Sequence, residues 1–402
     1  MGRRRFTGSF TQAEPIPPDG IAAALEVLRS GRLHRYNVVP EETSAAARLE
    51  RAYADWQGAR YCLALASGGQ AMQIALRAAG VRPGDPVLSN AFTLAPVPGA
   101  IAAVGAVPVL VEITEDLVID LDDVASKARA SGARHLLLSN MRGHLCDMDQ
   151  LTALAADLGL ALIEDCAHTM GAAWRGRRSG NFGIGGCFST QTYKHLNSGE
   201  GGLLTSDDPE LMARAVILSG SYMFYDRHGA APPPEAFEAI RLNTPNMSAR
   251  MDNLRAAILL PQLAALDGTI ARWNARYARV VGGLASCPGL VLPRRPAEEA
   301  YVGSSVQFRL PSVTPADARR FLAATAERGV ELKWFGAAEP IGFTSSHHSW
   351  RYVPDQALPR TDAVLAGLFD MRLPLTFSLD DCDLIAAIIR DAAAGLRLQG
   401  AA

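Results

Sequence analysis

The sequence predicts an α/β protein, with a large domain on a mostly parallel sheet over residues 1–286 and a smaller α+β domain over 287–402. Three observations carry that expectation. Between about residues 60 and 206, short near-continuous apolar runs alternate with helix-patterned stretches, as strands covered on both faces do. A long helical pattern begins near Arg250 and continues through "LRAAILLPQLAALDGTIARWNARYARVVGGLAS". Beyond the Cys287-Pro288-Gly289 break, strand and helix patterns resume on a smaller scale.

In chain order, "YCLALAS" (61–67) reads as a strand that runs into the helix "QAMQIALRAAG". The runs "DPVLSN" (85–90), "VPVLVEI" (107–113), "RHLLLSN" (134–140) and "LALIEDC" (160–166) follow at similar intervals with helical patterns between them. Residues 221–246, rich in Pro, Tyr and Arg, form an irregular excursion. Pro261 should bend the long helix without ending it, because apolar spacing continues past it. The smaller domain then shows "VQFRLP" (306–311), the helix "PADARRFLAATAERG", "VELKWF" (330–335) and a terminal helix from about Leu379.

Composition narrows the function. A net charge of −2 over 402 residues gives no electrostatic footprint for nucleic acid or an acidic membrane. The basic start Arg3-Arg4-Arg5 has no apolar run behind it, so neither a signal peptide nor an anchor is expected. Six scattered cysteines without C-x-x-C spacing argue against a zinc site or disulfide framework and for a reducing cytoplasm. His347-His348 is expected not to hold a metal, because adjacent side chains on a loop rarely converge.

Chemistry on such sheets lies at the carboxyl ends of the strands, and three ends stand out. At "SGGQAM", Ser67-Gly68-Gly69 opens a helix whose free amides suit a phosphate, although small residues there also make an ordinary tight turn. At "IEDCAHTMGA", Glu164 and Asp165 close an apolar strand. A carboxylate there is costly unless it caps a helix or meets a cation. At "CFSTQTYKHLNSGEGG", Ser189 ends a strand and Lys194 follows. A lone lysine is usually a surface charge. Taken together, a phosphate cradle, a carboxylate for a pyridinium nitrogen and a Schiff-base lysine amount to a pyridoxal 5′-phosphate site.

These same segments, with "GAVPVLVEI", "CDMDQL" and "RMDNLRAAI", resemble the DegT/DnrJ/EryC1/StrS group of sugar aminotransferases over almost the whole chain. The resemblance implies the type I aminotransferase fold, with Lys194 as the Schiff-base residue and Asp165 as the pyridinium partner. It also implies His168 near the cofactor's phenolic oxygen, and Ser189 with the Gly68 and Gly69 amides on the phosphate. Ser67-Gly68-Gly69 stands where relatives have S-G-T, and Leu94 where relatives stack an aromatic ring on the cofactor. Relatives complete the phosphate site from the adjoining subunit, which implies a homodimer with shared sites and Asn246 or Ser248 as the donor that crosses.

Arg142 is the foremost candidate for substrate contact, as a strand-end arginine suited to a carboxylate or phosphate. His144, Tyr222, Arg227, Arg250, Lys333 and Trp334 are further candidates, each with a structural role as the competing reading. The reaction expected from the resemblance moves an amino group from glutamate or glutamine to a keto or aldehyde carbon of a sugar, aminocyclitol or similar polar intermediate. Elimination, decarboxylation or carbon–carbon chemistry on the same cofactor is the alternative, followed by a cofactor-binding regulator without turnover. Lys194 argues against one version of the alternative, because relatives that dehydrate sugars carry histidine at that position.

Overall fold

The computed structural model describes residues 4–400, so Arg3 of the basic start lies outside them. In chain order the strands are β1 (Tyr61–Leu65), β2 (Pro86–Asn90), β3 (Val107–Val111), β4 (His135–Ser139), β5 (Ala161–Asp165), β6 (Ala173–Trp174), β7 (Arg177–Arg178), β8 (Gly185–Ser189), β9 (Gly202–Ser206), β10 (Glu299–Ala300), β11 (Ser305–Arg309), β12 (Lys333–Trp334) and β13 (Leu368–Arg372). The main sheet runs β1-β9-β8-β5-β4-β2-β3. Its pairs from β3 to β8 are parallel, and β9 alone runs against both neighbours.

β1, β8 and β9 are buried throughout, as are all but the first residue of β2, β4 and β5, which explains why they read as continuous apolar runs rather than alternations. Helices pack on both faces and start sharply. Ser67, Asp120, Asp147, Asp208 and Asp252 each accept a backbone N–H at a helix start. The long helical pattern begins at Asn253, behind Asp252, and is two helices, Asn253–Ala264 and Leu266–Leu284, bent by 67°. Pro261 lies inside the first of them and the break falls at Ala265, so the proline does not end its own helix. Among the described residues no single helix is long and apolar enough to cross a membrane. Only this bent pair passes on length and composition together, and its Ala256, Leu259, Leu263 and Leu266 are buried in a core cluster.

The smaller sheet, β11-β13-β12, is antiparallel. Its middle strand, "LFDMR", is absent from the sequence expectation. Its apolar core also draws in residues from before 287: Phe6, Phe10, Tyr277, Val280 and Leu284. Phe6, Phe10 and Phe377 meet edge to face with centroids 4.8–5.5 Å apart. The amino-terminal segment therefore straps the small sheet to the long helix.

Candidate active site

The carboxyl ends of β1, β2, β4, β5 and β8 and the small sheet's edge enclose a cavity of about 410 Å³. Ser67, Gly68, Gly69, Leu94, Arg142, Asp165, His168, Ser189 and Lys194 all line it. Thr93, Ser139, Lys333, Phe343 and Arg372 line it as well.

The anion cradle rests on close backbone approach. The Ser67 side chain accepts the Gln70 N–H at 3.1 Å and so caps the helix Gly68–Ala78, leaving the Gly68 and Gly69 amides without an intrahelical acceptor. A Cβ on Gly68 would come within 2.9 Å of the Ser189 Cβ, so glycine is what lets the helix start meet β8. A Cβ on Gly202 would collide with the Ser67 carbonyl. The Gly-Glu-Gly-Gly run after Lys194 is thus needed to return the chain as β9 behind the cradle.

Strand alternation separates the two carboxylates that end β5. Glu164 turns away from the cavity and accepts the amides of Gly180, Phe182 and Gly183 at 2.7–3.1 Å. Asp165 faces the cavity, is 5% exposed, and accepts the Ala167 N–H at 3.1 Å and the Ser139 hydroxyl at 3.0 Å. Thr93 donates in turn to Ser139 at 2.7 Å. Burial pushes the Asp165 carboxyl above its ordinary range, against the Ala167 amide, the Lys194 charge and the Ser139 hydroxyl. This carboxylate is positioned for a cation.

Lys194 sits in the turn between β8 and β9 with its Nζ 2.8 Å from Nε2 of His168. Burial lowers its pKa to about 7, helped by the Arg142, Arg372 and Lys333 charges and opposed by Asp165. His168 is held neutral by burial, then by Lys194 and Arg142. Lys194 is half-buried on the cavity wall against His168, so it is not a solvated surface charge.

The family's sequence profile, described as the DegT/DnrJ/EryC1/StrS aminotransferase family, matches residues 18–390. The chain belongs to that family. It is 33% identical over 272 residues to "L-glutamine:2-deoxy-scyllo-inosose aminotransferase" of Streptomyces fradiae, a match covering 67% of this chain but only 64% of the relative. It is 35% identical to "dTDP-3-amino-3,4,6-trideoxy-alpha-D-glucose transaminase" of Streptomyces venezuelae, over 70% of this chain and 69% of that one. Among solved structures, S. venezuelae DesV in complex with a ketimine intermediate superposes with a TM-score of 0.77 at 28% identity, covering 93% of this chain and 94% of that one. The fold is the type I aminotransferase fold, and the family's cofactor is pyridoxal 5′-phosphate. The lining fits it. The Gly68 and Gly69 amides with Ser189 suit the phosphate, Asp165 suits the ring nitrogen, and Lys194 suits the carbonyl carbon.

Leu94 is half-buried on the cavity wall. Arg142 also lines the cavity, but its charge is already met: Nη2 lies 2.8 Å from the fully buried Asp370, which stands 3.8 Å from Lys333. Its residue has φ 56°. Arg142 thus ties the large domain to β13 before it can serve a substrate. His144 is a correction, since it is absent from the lining and bonds Gln307 at 2.9 Å, and Gln307 bonds Asp370. Tyr222 is another, at 56% exposure outside the cavity with the Arg250 guanidinium over its ring. Trp334 donates to the Ala366 carbonyl in the small core, Arg227 to that of Tyr36, and Arg250 to that of Gly220. Asn246 and Ser248 are exposed and line no part of this chain's own cavity. Their segment nevertheless runs beside the cradle strand, where the Ala66 N–H bonds the Ala249 carbonyl at 2.8 Å.

The sequence reading missed Arg372. It ends β13, stacks its guanidinium 3.7 Å over the Tyr193 ring, and leaves a buried Nη1 without a hydrogen-bond partner. An arginine closing the run "LFDM" was the available signal, hidden because that run had not been read as a strand.

Proposed function

We propose that this chain is an aminotransferase that moves an amino group from glutamine or glutamate to a keto or aldehyde carbon of a sugar, aminocyclitol or similar polar intermediate. One observation carries the reading. The Lys194 amine, the Asp165 carboxylate and the Gly68/Gly69/Ser189 cradle converge on a single cavity. The named activities of the S. fradiae and S. venezuelae relatives support the substrate classes.

Pyridoxal 5′-phosphate, when bound, supplies an electron sink for the carbon that gives up its proton. The chain's own residues do the rest. With its pKa near 7, the Lys194 amine is largely neutral just above neutrality, so it can act as nucleophile and as proton carrier on one face of the site. Neutral His168 keeps Nζ in place through the 2.8 Å contact. Asp165 holds a proton on the ring nitrogen by its charge, and the Thr93–Ser139 chain fixes the carboxylate's orientation. Arg372, whose buried Nη1 has no hydrogen-bond partner, and Lys333 would offer the donor's carboxylate a cationic wall of the cavity.

The protein would act as a cytoplasmic homodimer with shared sites. The exposed Asn246 and Ser248 would complete a partner's phosphate site, a reading supported by their position beside the cradle strand yet outside their own cavity. A single half-reaction tests the reading. Purified holoprotein is mixed with glutamine or glutamate and the absorbance of the bound cofactor is followed. Conversion to the pyridoxamine form supports transamination, and an unchanged spectrum with both donors refutes it.

A further inference from the structure

The strongest feature outside the catalytic cavity is one the sequence argued against. His347 and His348 lie on a 3-10 turn, His347–Ser349, and Asp362 lies in the first turn of the helix Pro359–Ala366. The two imidazoles do converge. Nε2 of His347 is 2.8 Å and Nε2 of His348 2.9 Å from the same oxygen, Oδ1 of Asp362. Their rings are tilted by 40° with centroids 3.9 Å apart. The turn is fixed from below, where Trp350, 4% exposed, donates its indole N–H to Ser345 at 2.9 Å.

We propose that His347, His348 and Asp362 bind one divalent transition-metal ion of the zinc class. One ligand atom from each residue lies within 4.8 Å of the others, and among the described residues this is the only such group of three or more His, Cys, Asp and Glu. Metal–ligand bonds of about 2.0–2.1 Å at a tetrahedral angle set neighbouring ligand atoms about 3.3 Å apart. The present N···O separations need open only by about half an ångström. Two imidazole nitrogens with one carboxylate select zinc, nickel or copper over magnesium or calcium, which take oxygen ligands. The side chain of His347 is 5% exposed and that of His348 63%, so the site is walled on one side and open to a water ligand on the other.

The ion would act at the mouth of the catalytic cavity. The loop that leads into His347 carries Phe343, which lines that cavity, faces Tyr193 at 6.3 Å and lies under the charges of Lys333 and Arg372. A metal bridging the turn to the helix Pro359–Ala366 pins the loop that presents this ring. The proposal stands on these three side chains alone and does not depend on the aminotransferase reading.

The test uses tag-free holoprotein, stripped by chelator and dialysed, titrated with zinc by calorimetry and loaded with cobalt for visible spectroscopy. Wild type is expected to bind one zinc per chain at micromolar affinity and to give the intense absorption of four-coordinate cobalt. His348→Ala and Asp362→Asn should each lose that equivalent and that band, while His135→Ala, a histidine bonded to the Ala79 carbonyl elsewhere, keeps both. Unchanged cofactor content in the variants shows that they fold. Equal zinc binding by wild type and both variants, or magnesium competing on level terms, overturns the proposal. So does the absence of zinc binding, which would mean that the carboxylate merely accepts two imidazole N–H bonds.

Discussion

Replacing Asp165 by asparagine removes one charge from a buried position and almost no volume. The carboxylate is 5% exposed and anchored at 3.0 Å by Ser139 and 3.1 Å by the Ala167 amide. A cationic ring nitrogen taking up a third contact at hydrogen-bond range would interact with it by about 5 kcal/mol at an effective dielectric of ~20. Desolvation of both charges offsets part of that, leaving about 3–4 kcal/mol, the size expected of one preorganised electrostatic contact. The rate of the half-reaction with glutamine or glutamate should therefore fall roughly 10²–10³-fold. The amide retains an oxygen for the Ala167 N–H, but its NH₂ now meets the Ser139 hydroxyl, which already accepts from Thr93. The loss should therefore include some disorder of the ring position. The assay is stopped-flow absorbance of the bound cofactor, with circular dichroism and cofactor stoichiometry as checks on folding. A well-folded, fully loaded Asp165→Asn protein with wild-type turnover would show that the carboxylate serves only the strand end.

The remaining predictions concern the amine, the anion wall and the dimer. The Lys194 amine titrates near 7 in the cofactor-free fold against an ordinary 10.5. Between those values the unfolded chain holds a proton that the native state has released, so stability relative to Lys194→Met rises with pH across that window and the deficit is fully present below it. Urea unfolding of the two apoproteins at about pH 6 and about pH 9 should differ by about 2–3 kcal/mol in that sense, and a pH-independent difference would contradict the depressed amine. Arg372→Ala should raise KM for the amino donor by about tenfold or more with a smaller effect on kcat, as loss of a charged hydrogen bond implies; equal KM in steady-state kinetics would leave the donor carboxylate elsewhere. Mixing Lys194→Ala with an Asn246→Ala/Ser248→Ala double variant under subunit exchange should restore activity from two inactive parents, and no recovery in exchange-competent mixtures would count against shared sites.

The lining of the candidate site was legible where neighbours in sequence are neighbours in space. The Ser67-Gly68-Gly69 turn, the end of β5 and the Ser189-to-Lys194 turn are local structures, and strand ends of a parallel sheet converge by topology. Adjacent residues on a strand must also point to opposite faces, so Glu164 and Asp165 could not both serve the cavity. Which face held the cavity was not written there. Other parts were invisible because each depends on residues far apart in the chain. Asp370 meets Arg142 only because the smaller sheet packs against the turn that follows β4, and that meeting converts a free arginine into a tether. The Thr93–Ser139–Asp165 chain joins three strand ends in the same way. For His347 and His348 the expectation of divergence failed because a 3-10 turn held by Trp350 and Ser345 aims both rings at Asp362.

By itself the sequence determined the kind of sheet and the strand-end turns that line the cavity at its carboxyl edge. Those follow from apolar run length, from glycines at backbone contacts and from the cost of a buried charge without a partner. Only the tertiary structure decided the strand order, the recruitment of Phe6 and Phe10 into the small core, and the wall of Arg142, Lys333 and Arg372 around Lys194. The physical reason is range. Hydrophobic patterning and backbone sterics act within a few residues, whereas the burial and then the charges that lower the Lys194 pKa come from segments that meet only when the main and smaller sheets pack.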